Sequence, residues 1–110
     1  TRTISSAASD VYKRQDKLIE RALEIAKEFT AESSQISIAL TRQMMWRMLG
    51  ADDPMEAHKI DSRAVIELGQ SREAIEGVNS FLEKRPPSFP GKVSKDMPSF
   101  FPWWDEKEFE

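Results

Sequence analysis

Apolar residues recur every three or four positions along the central part of the chain, which is the spacing of one face of an α-helix. The first such run extends from Asp16 to Phe29, with charged residues between the apolar ones. Asp16 is predicted to accept a hydrogen bond from a free first-turn amide. Arg21 is predicted to pair with Glu24 and Glu28 on the polar side. The sequence therefore predicts an amphipathic first helix.

A second run, from Ile36 to Leu49, is apolar around more than one side. Ser33 or Ser34 is predicted to cap its first turn, and Gly50 to end it in a left-handed conformation. Because its apolar residues are not confined to one stripe, this helix is expected to be sandwiched between other elements. Two interpretations of its methionines and tryptophan stay open, an adaptable partner groove or ordinary core. The residues concerned are Met44, Met45, Trp46 and Met48.

The strongest local signal in the chain marks the start of a third helix. Asp53 is predicted as the N-cap, Pro54 as the first helical residue and Glu56 as the capping-box partner. Gly69 is expected to end this helix. His58, near its start, is interpreted as a surface residue because no nucleophile or second histidine accompanies it.

A fourth helix is predicted after Ser71, which is placed to cap it. One stripe of this helix is apolar and is expected to face the core: Ile75, Val78, Phe81 and Leu82. The opposite side is polar and is expected to face away: Glu73, Glu76, Asn79 and Glu83. Lys84 and Arg85 suit the carbonyl end of the helix dipole, and Pro86 with Pro87 is expected to stop the helix.

The remaining residues, 86–110, hold five of the six prolines and most of the aromatic residues, which predicts an extended tail whose aromatic side chains are covered. No strand-like alternation occurs. The predicted fold class is all-α, with about four helices and an aromatic tail. Three regions are predicted: a disordered leader over residues 1–15, a helical region over 16–85 and the tail over 86–110.

Composition excludes several kinds of chemistry. The chain has 110 residues, no cysteine, one histidine and a net charge of −3. It is therefore one domain or a piece of one, without disulfides, thiol catalysis or a zinc site built on thiolates. Neither a catalytic residue nor a metal site is predicted. The charge balance and the lack of a long apolar run predict neither a nucleic-acid nor a membrane partner and favour a cytoplasmic location.

Several segments resemble the C-terminal end of the enoyl-CoA hydratase/isomerase (crotonase) family. The most specific are EGVNSFLEKRPPSF over residues 76–89, VSKDMP over 93–98 and FPWW over 101–104. Residues 16–29, IALTR over 38–42 and SRAVIE over 62–67 extend the resemblance backward. Gln35 departs from the family, where many members have proline. Residues 1–15 match nothing in it and are interpreted as a non-native leader.

The resemblance implies that this chain is the C-terminal helical part of a crotonase-like α/β fold in an enzyme of fatty acid metabolism, a lyase or isomerase acting on acyl-CoA thioesters. The family's enolate-binding amides and acid/base carboxylates would precede residue 16, so the chain is expected to be an inactive fragment. No cofactor is expected, since the CoA thioester is the substrate. The family's C-terminal helices pack in a trimer, often doubled to a hexamer, and partly cover CoA.

By motif position, the resemblance implies that Phe81 and Lys84 reach the adenine and the 3′-phosphate of CoA bound to a neighbouring subunit. The alternative interpretation is purely structural: Phe81 belongs to the core stripe, and the Lys84 charge only interacts favourably with the helix dipole. A separate hypothesis makes the chain an independent helical protein-interaction module that docks through its methionine-rich helix or its tail.

Overall fold

The computed structural model describes residues 15–109, and the described part is helical without any strand. The α-helices are α1 (Leu18–Thr30), α2 (Gln35–Met48), α3 (Pro54–Gly69) and α4 (Arg72–Glu83). The all-α prediction is therefore confirmed. Residues 1–14 of the predicted leader lie outside the described residues. The chain divides into two compact units, residues 1–31 and residues 32–110.

In the first unit, α1 follows a 3₁₀ turn over Gln15–Lys17. The predicted cap at Asp16 is wrong, because Asp16 lies inside this turn and Lys17 occupies the N-cap position without a side-chain hydrogen bond. Arg21 pairs with Glu24 at 2.9 Å and approaches Glu28 to 3.8 Å, as predicted. No residue of α1 is buried. Its exposed apolar side chains include Leu18, Ile19, Leu23 and Phe29.

In the second unit, α2 packs against α3 and α3 packs against α4. Its buried apolar residues are Ile36 and Leu40 from α2 and Ile60 and Ala64 from α3. Four side chains make a small core, so most of the apolar surface of these helices stays outside it. α2 is consequently not sandwiched as predicted, because only one of its sides meets α3.

Two helix starts follow their sequence signals closely. Ser34 Oγ accepts a hydrogen bond from the Ser37 amide at 3.3 Å at the start of α2. Asp53 Oδ1 accepts one from the Met55 amide at 2.7 Å, with Pro54 at the first position of α3. The predicted caps Ser34 and Asp53 and the position of Pro54 are confirmed, since the cap residue and the free amide are close along the chain. The capping-box bond predicted for the Glu56 carboxylate is not formed; the Glu56 amide donates to the Asp53 carbonyl at 3.1 Å.

Other local predictions differ in detail. Ser71 occupies the N-cap position of α4, but its hydroxyl donates to the Leu68 carbonyl at 2.6 Å instead of capping. The predicted left-handed stop at Gly50 is wrong: α2 ends at Met48, Leu49 stays right-handed, and no described glycine has a positive φ. A turn from Met48 to Ala51, closed by a 3.2 Å hydrogen bond, makes a left-handed residue unnecessary.

Candidate functional site

The orientation of α4 differs from the sequence prediction. Its apolar stripe of Ile75, Val78, Phe81 and Leu82 is exposed. A strip along its polar side is covered instead: Glu73 is 6% and Ser80 5% exposed, and Glu76 is half-buried, while Asn79 and Glu83 are exposed as predicted. The reason is that the extended tail lies against this side and brings backbone N–H groups that have no helix or strand partner. Carboxylates on α4 supply the acceptors that these groups need.

Glu73 makes the most buried of these contacts. Its Oε1 accepts a hydrogen bond from the Gly91 amide at 2.6 Å. A Cβ atom on Gly91 would lie 2.8 Å from Glu73 Oε1 and would also collide with Ile36 Cδ1. Glycine is therefore required for the tail to pass this close to the core. Glu73 Oε2 is buried and has no hydrogen-bond partner in the described part of the chain.

Glu76 joins α4 to the start of the tail. Its two carboxylate oxygens accept from Arg85 Nη1 at 2.6 Å and Nη2 at 3.0 Å, and Oε1 also accepts from the Ser88 amide at 2.6 Å. Arg85 Nε donates to Glu83 Oε2 at 2.6 Å. The Arg85 hydrogen bonds, followed by the Ser88 amide, lower the pKa of Glu76 from its usual 4.5 to about 2.

This lowered pKa predicts a pH-dependent contribution to stability. Because the folded pKa lies below the unfolded one, the contribution is present above about pH 4.5 and is lost as the pH falls towards 2. Chemical unfolding is measured from about pH 6 to about pH 2, a range that spans both pKa values. The free energy of unfolding should fall more steeply with decreasing pH for the wild type than for Glu76→Gln. Glu108→Gln, at the exposed chain end, controls for the loss of one carboxylate. Parallel curves for wild type and Glu76→Gln would contradict the assignment.

The C-terminal end of α4 is closed by Lys84, which has a left-handed backbone with φ 52°. The Lys84 amide donates to the Phe81 carbonyl at 3.3 Å, and the Arg85 amide donates to the Ser80 carbonyl at 3.1 Å. This is the Schellman pattern, usually made with glycine. The helix therefore ends at Glu83, before the prolines that were predicted to stop it.

The structure brings the two predicted site residues to the same end of α4. Phe81 is 82% exposed and so does not belong to the core of this chain. Lys84 is exposed, and none of the described residues pairs with its amine. Arg85, by contrast, is held by two glutamates. Lys84 is thus the cation at this helix end that is available to an anionic ligand.

The end of the tail folds into an aromatic cluster beside α2 and α3. Phe100, Phe101, Trp103 and Trp104 meet mostly edge to face, with ring centroids 4.9–6.3 Å apart. Arg47 of α2 lies over the Trp104 ring at 3.7 Å. Glu67 of α3 accepts hydrogen bonds from the Ser99 amide and from Ser99 Oγ, the latter at 2.9 Å. The expectation that the tail aromatics are covered holds for this cluster, whereas Phe109 is exposed.

Sequence reasoning missed the three glutamates that hold the tail, Glu67, Glu73 and Glu76. Their helical spacing places them on polar faces, and that spacing gives no sign that a backbone amide will reach them. The available signal was the tail itself, a long segment without regular structure whose amide groups need acceptors. Arg47 was missed for a similar reason, since its partner Trp104 lies far along the chain.

A groove of about 560 Å³ separates α2, α3 and α4. Leu40, Met44, Ala64, Leu68, Glu73 and Phe89 are among the residues that line it. Within the described part of the chain, no three histidine, aspartate or glutamate residues are grouped so that they could hold a metal ion. None of the described helices has the length and apolar character needed to cross a membrane. His58 is exposed on α3, as predicted.

Comparison with known proteins identifies relatives of the chain. No protein-family model matches it. Three curated proteins of Alternaria alternata are similar to it: enoyl-CoA hydratase AFT3-1 is 42% identical over 71 residues, enoyl-CoA hydratase ACTT3 is 41% identical over 71 residues, and enoyl-CoA hydratase AKT3-2 is 38% identical over 87 residues. These matches cover 64%, 64% and 79% of this chain.

The chain spans about a quarter of the length of the curated relatives it matches, since the matches cover 23–26% of them. The matched residues nonetheless make up 64–79% of this chain, at 38–42% identity. The resemblance to the enoyl-CoA hydratase/isomerase family is thereby confirmed, and this chain is a helical segment related to the enoyl-CoA hydratases.

Proposed function

We propose that the chain is the C-terminal segment of an acyl-CoA-processing enzyme of the enoyl-CoA hydratase/isomerase family. In that enzyme it serves subunit association and covers bound CoA, while the groups that carry out the chemistry lie outside it. The observation that supports this proposal most strongly is the uncovered apolar stripe of α4. A stripe of four large apolar side chains is exposed while Glu73 and Ser80 of the same helix are buried, which is the arrangement expected when a further protein surface covers the stripe.

The CoA-covering role rests on the end of this same stripe. Phe81 offers a flat apolar face for a base, and Lys84 offers a mobile ammonium group for a phosphate. The Schellman hydrogen bonds occupy the carbonyl groups of Ser80 and Phe81. An approaching phosphate therefore meets the Lys84 charge with fewer free carbonyl oxygens to repel it.

The proposal is tested on the full-length enzyme by replacing Lys84 with glycine. Glycine suits the left-handed backbone, so the helix end is preserved while the amine is removed. The dissociation constant for CoA thioesters should rise about fivefold to thirtyfold, the consequence of losing one exposed charge-assisted contact of about 1–2 kcal/mol. The catalytic rate at saturation should change little, because the contact is the same in the ground and transition states.

Two controls make this test specific. Lys84→Arg keeps the charge and should retain most of the affinity. A substrate without the 3′-phosphate should bind equally to wild type and Lys84→Gly. An equal loss of affinity for both substrates, or a loss of the oligomer in sedimentation, would assign Lys84 a purely structural role and contradict the CoA contact.

The fragment hypothesis is tested separately by reading the genomic DNA upstream of the Asp16 codon. An open frame that continues into a β/α region with oxyanion-binding loops supports the proposal. A start codon close to Asp16 contradicts it and favours the independent helical interaction module, for which the exposed Met45 and Trp46 of α2 would be the docking residues.

A further inference from the structure

Lys84 has a backbone conformation that lysine rarely adopts. Its φ of 52° lies in the left-handed region, where a side chain with a Cβ atom is crowded by the neighbouring carbonyl group. A residue of this kind keeps such a conformation only when the surrounding structure holds it, and residues held in this way are concentrated at functional sites. The contacts that hold Lys84 are therefore of functional interest.

The chain that follows Lys84 is tied back to α4 through Glu76. Arg85 donates to both carboxylate oxygens of Glu76, at 2.6 Å and 3.0 Å, and the Ser88 amide donates to Glu76 Oε1 at 2.6 Å. We call these hydrogen bonds, between Glu76, Arg85 and Ser88, the clasp. Because Lys84 lies between the last residue of α4 and the clasp, the chain has to reverse at Lys84, and a left-handed residue makes that reversal.

The clasp differs from an ordinary surface ion pair in geometry and in exposure. The Glu76 side chain is 17% exposed, and Arg85 meets it with two parallel hydrogen bonds. The pair of Arg21 and Glu24 has one hydrogen bond, and both side chains are at least 40% exposed. Two parallel bonds to a shielded carboxylate also fix the plane of the guanidinium group. The position of the chain directly after Lys84 is therefore well defined.

Arg85 also leaves the Lys84 amine without a carboxylate partner. Arg85 Nε donates to Glu83 Oε2 at 2.6 Å, so Arg85 engages the carboxylates of both Glu83 and Glu76. Within residues 15–109, neither these glutamates nor any other acid forms an ion pair with Lys84. An ammonium group that is already paired attracts a second anion less strongly. The same contacts thus shape the backbone of Lys84 and keep its charge available.

We propose that Glu76 and Arg85 are positioning residues for Lys84, which hold its left-handed backbone and keep its amine unpaired for an anionic ligand. This inference rests on the proposed contact between Lys84 and CoA, and it adds that the contact depends on two side chains that do not touch the ligand. Without the clasp, Lys84 also populates other backbone conformations. The apparent affinity then falls with the fraction of molecules in which Lys84 stays left-handed.

Glu76→Gln in the full-length enzyme tests the proposal through the sign of its effect. The dissociation constant for CoA thioesters should rise about threefold to tenfold, because the left-handed backbone is no longer held, while the rate at saturation stays unchanged. A purely electrostatic role predicts the opposite. The substitution removes a negative charge and frees the Arg85 cation, and both changes should tighten the binding of a phosphate.

Two further single variants complete this comparison. Glu83→Gln makes the same charge change at the same end of α4, but Glu83 accepts neither the paired hydrogen bonds nor the Ser88 amide. It should change the dissociation constant less than about twofold. Arg85→Lys keeps the charge but cannot form two parallel hydrogen bonds, so it should weaken binding in the same direction as Glu76→Gln. It replaces Glu76→Gln if that variant does not fold.

A double variant separates positioning from a general structural role. Glycine adopts the left-handed backbone unaided and has no amine, so Glu76→Gln should not weaken CoA binding further in the Lys84→Gly enzyme. An equal loss of affinity from Glu76→Gln in both backgrounds would overturn the proposal. Unchanged or tighter binding by Glu76→Gln, in an enzyme that Lys84→Gly does weaken, would overturn it as well.

The conformation of Lys84 is measured independently of CoA by NMR. The coupling between the amide and Hα protons of Lys84, with its Cα chemical shift, reports φ in the chain of residues 1–110. Wild type should show a positive φ, and Glu76→Gln a mixture of conformations. A positive φ that persists in both Glu76→Gln and Arg85→Lys overturns the proposal. If Lys84→Gly binds CoA normally, the proposed CoA contact fails, and the role of the clasp is then decided by the φ measurement alone.

Discussion

Mixed with crotonyl-CoA, the isolated chain is expected to hydrate none of it above the rate in buffer. Water addition to a conjugated thioester needs donors that stabilise the enolate oxygen and a positioned group that transfers the proton. Such groups accelerate enzymatic reactions about a millionfold or more, so a chain without them should show no measurable turnover. The measurement is the absorbance of the conjugated thioester, followed with a full-length enoyl-CoA hydratase as the positive control.

Glu73 provides the sharpest check of this expectation. Among the described residues, Glu73 is the one carboxylate that is buried, and its Oε2 has no hydrogen-bond partner. Its Oε1 is occupied by the Gly91 amide, so the structure gives it the task of holding the tail. Turnover by the purified chain that disappears in Glu73→Gln, while the helices remain, would contradict the predicted inactivity.

Gly91→Ala is expected to have the largest effect on stability among single substitutions in the tail. The new Cβ would lie 2.8 Å from Glu73 Oε1 and would collide with Cδ1 of Ile36, a core side chain that is only 2% exposed. Relief requires the tail to move away, which weakens the hydrogen bond between the Gly91 amide and Glu73. Overpacking of this kind destabilises by about 1–3 kcal/mol.

Gly50→Ala is the matched control for this experiment. A Cβ on Gly50 meets no atom within 4 Å, and the backbone there does not have a positive φ. The same chemical change should therefore be neutral or slightly stabilising. Urea unfolding followed by tryptophan fluorescence measures both variants. Equal midpoints for Gly91→Ala and Gly50→Ala would show that the tail does not pack closely on the core.

Local sequence signals determined the helices and several of their starts. Asp53 and Pro54 mark the beginning of α3 because a cap depends on atoms only two or three residues apart, and the structure agrees. The same holds for Ser34 at α2. The all-α class also follows from the sequence, since the apolar period of each helix is a property of the chain alone.

The candidate residues Phe81 and Lys84 came from the resemblance to a family, since periodicity alone made Phe81 a core residue. The tertiary structure decided that Phe81 is exposed and that Lys84 adopts the left-handed backbone expected of Gly50. The choice between Gly50 and Lys84 depends on where the chain must turn after each helix. After α4 the tail must reverse to reach Glu76 and Glu73, and the Lys84 turn starts that path.

Which side of α4 is covered was decided by tertiary structure alone. Amphipathicity shows that a helix has an apolar side, but it does not identify the surface that covers it. In this chain the tail covers the part of the polar side that carries Glu73 and Glu76, because these carboxylates accept hydrogen bonds from tail amides that have no helix or strand partner. The apolar stripe stays exposed, because within the second unit neither another helix nor the tail packs on it.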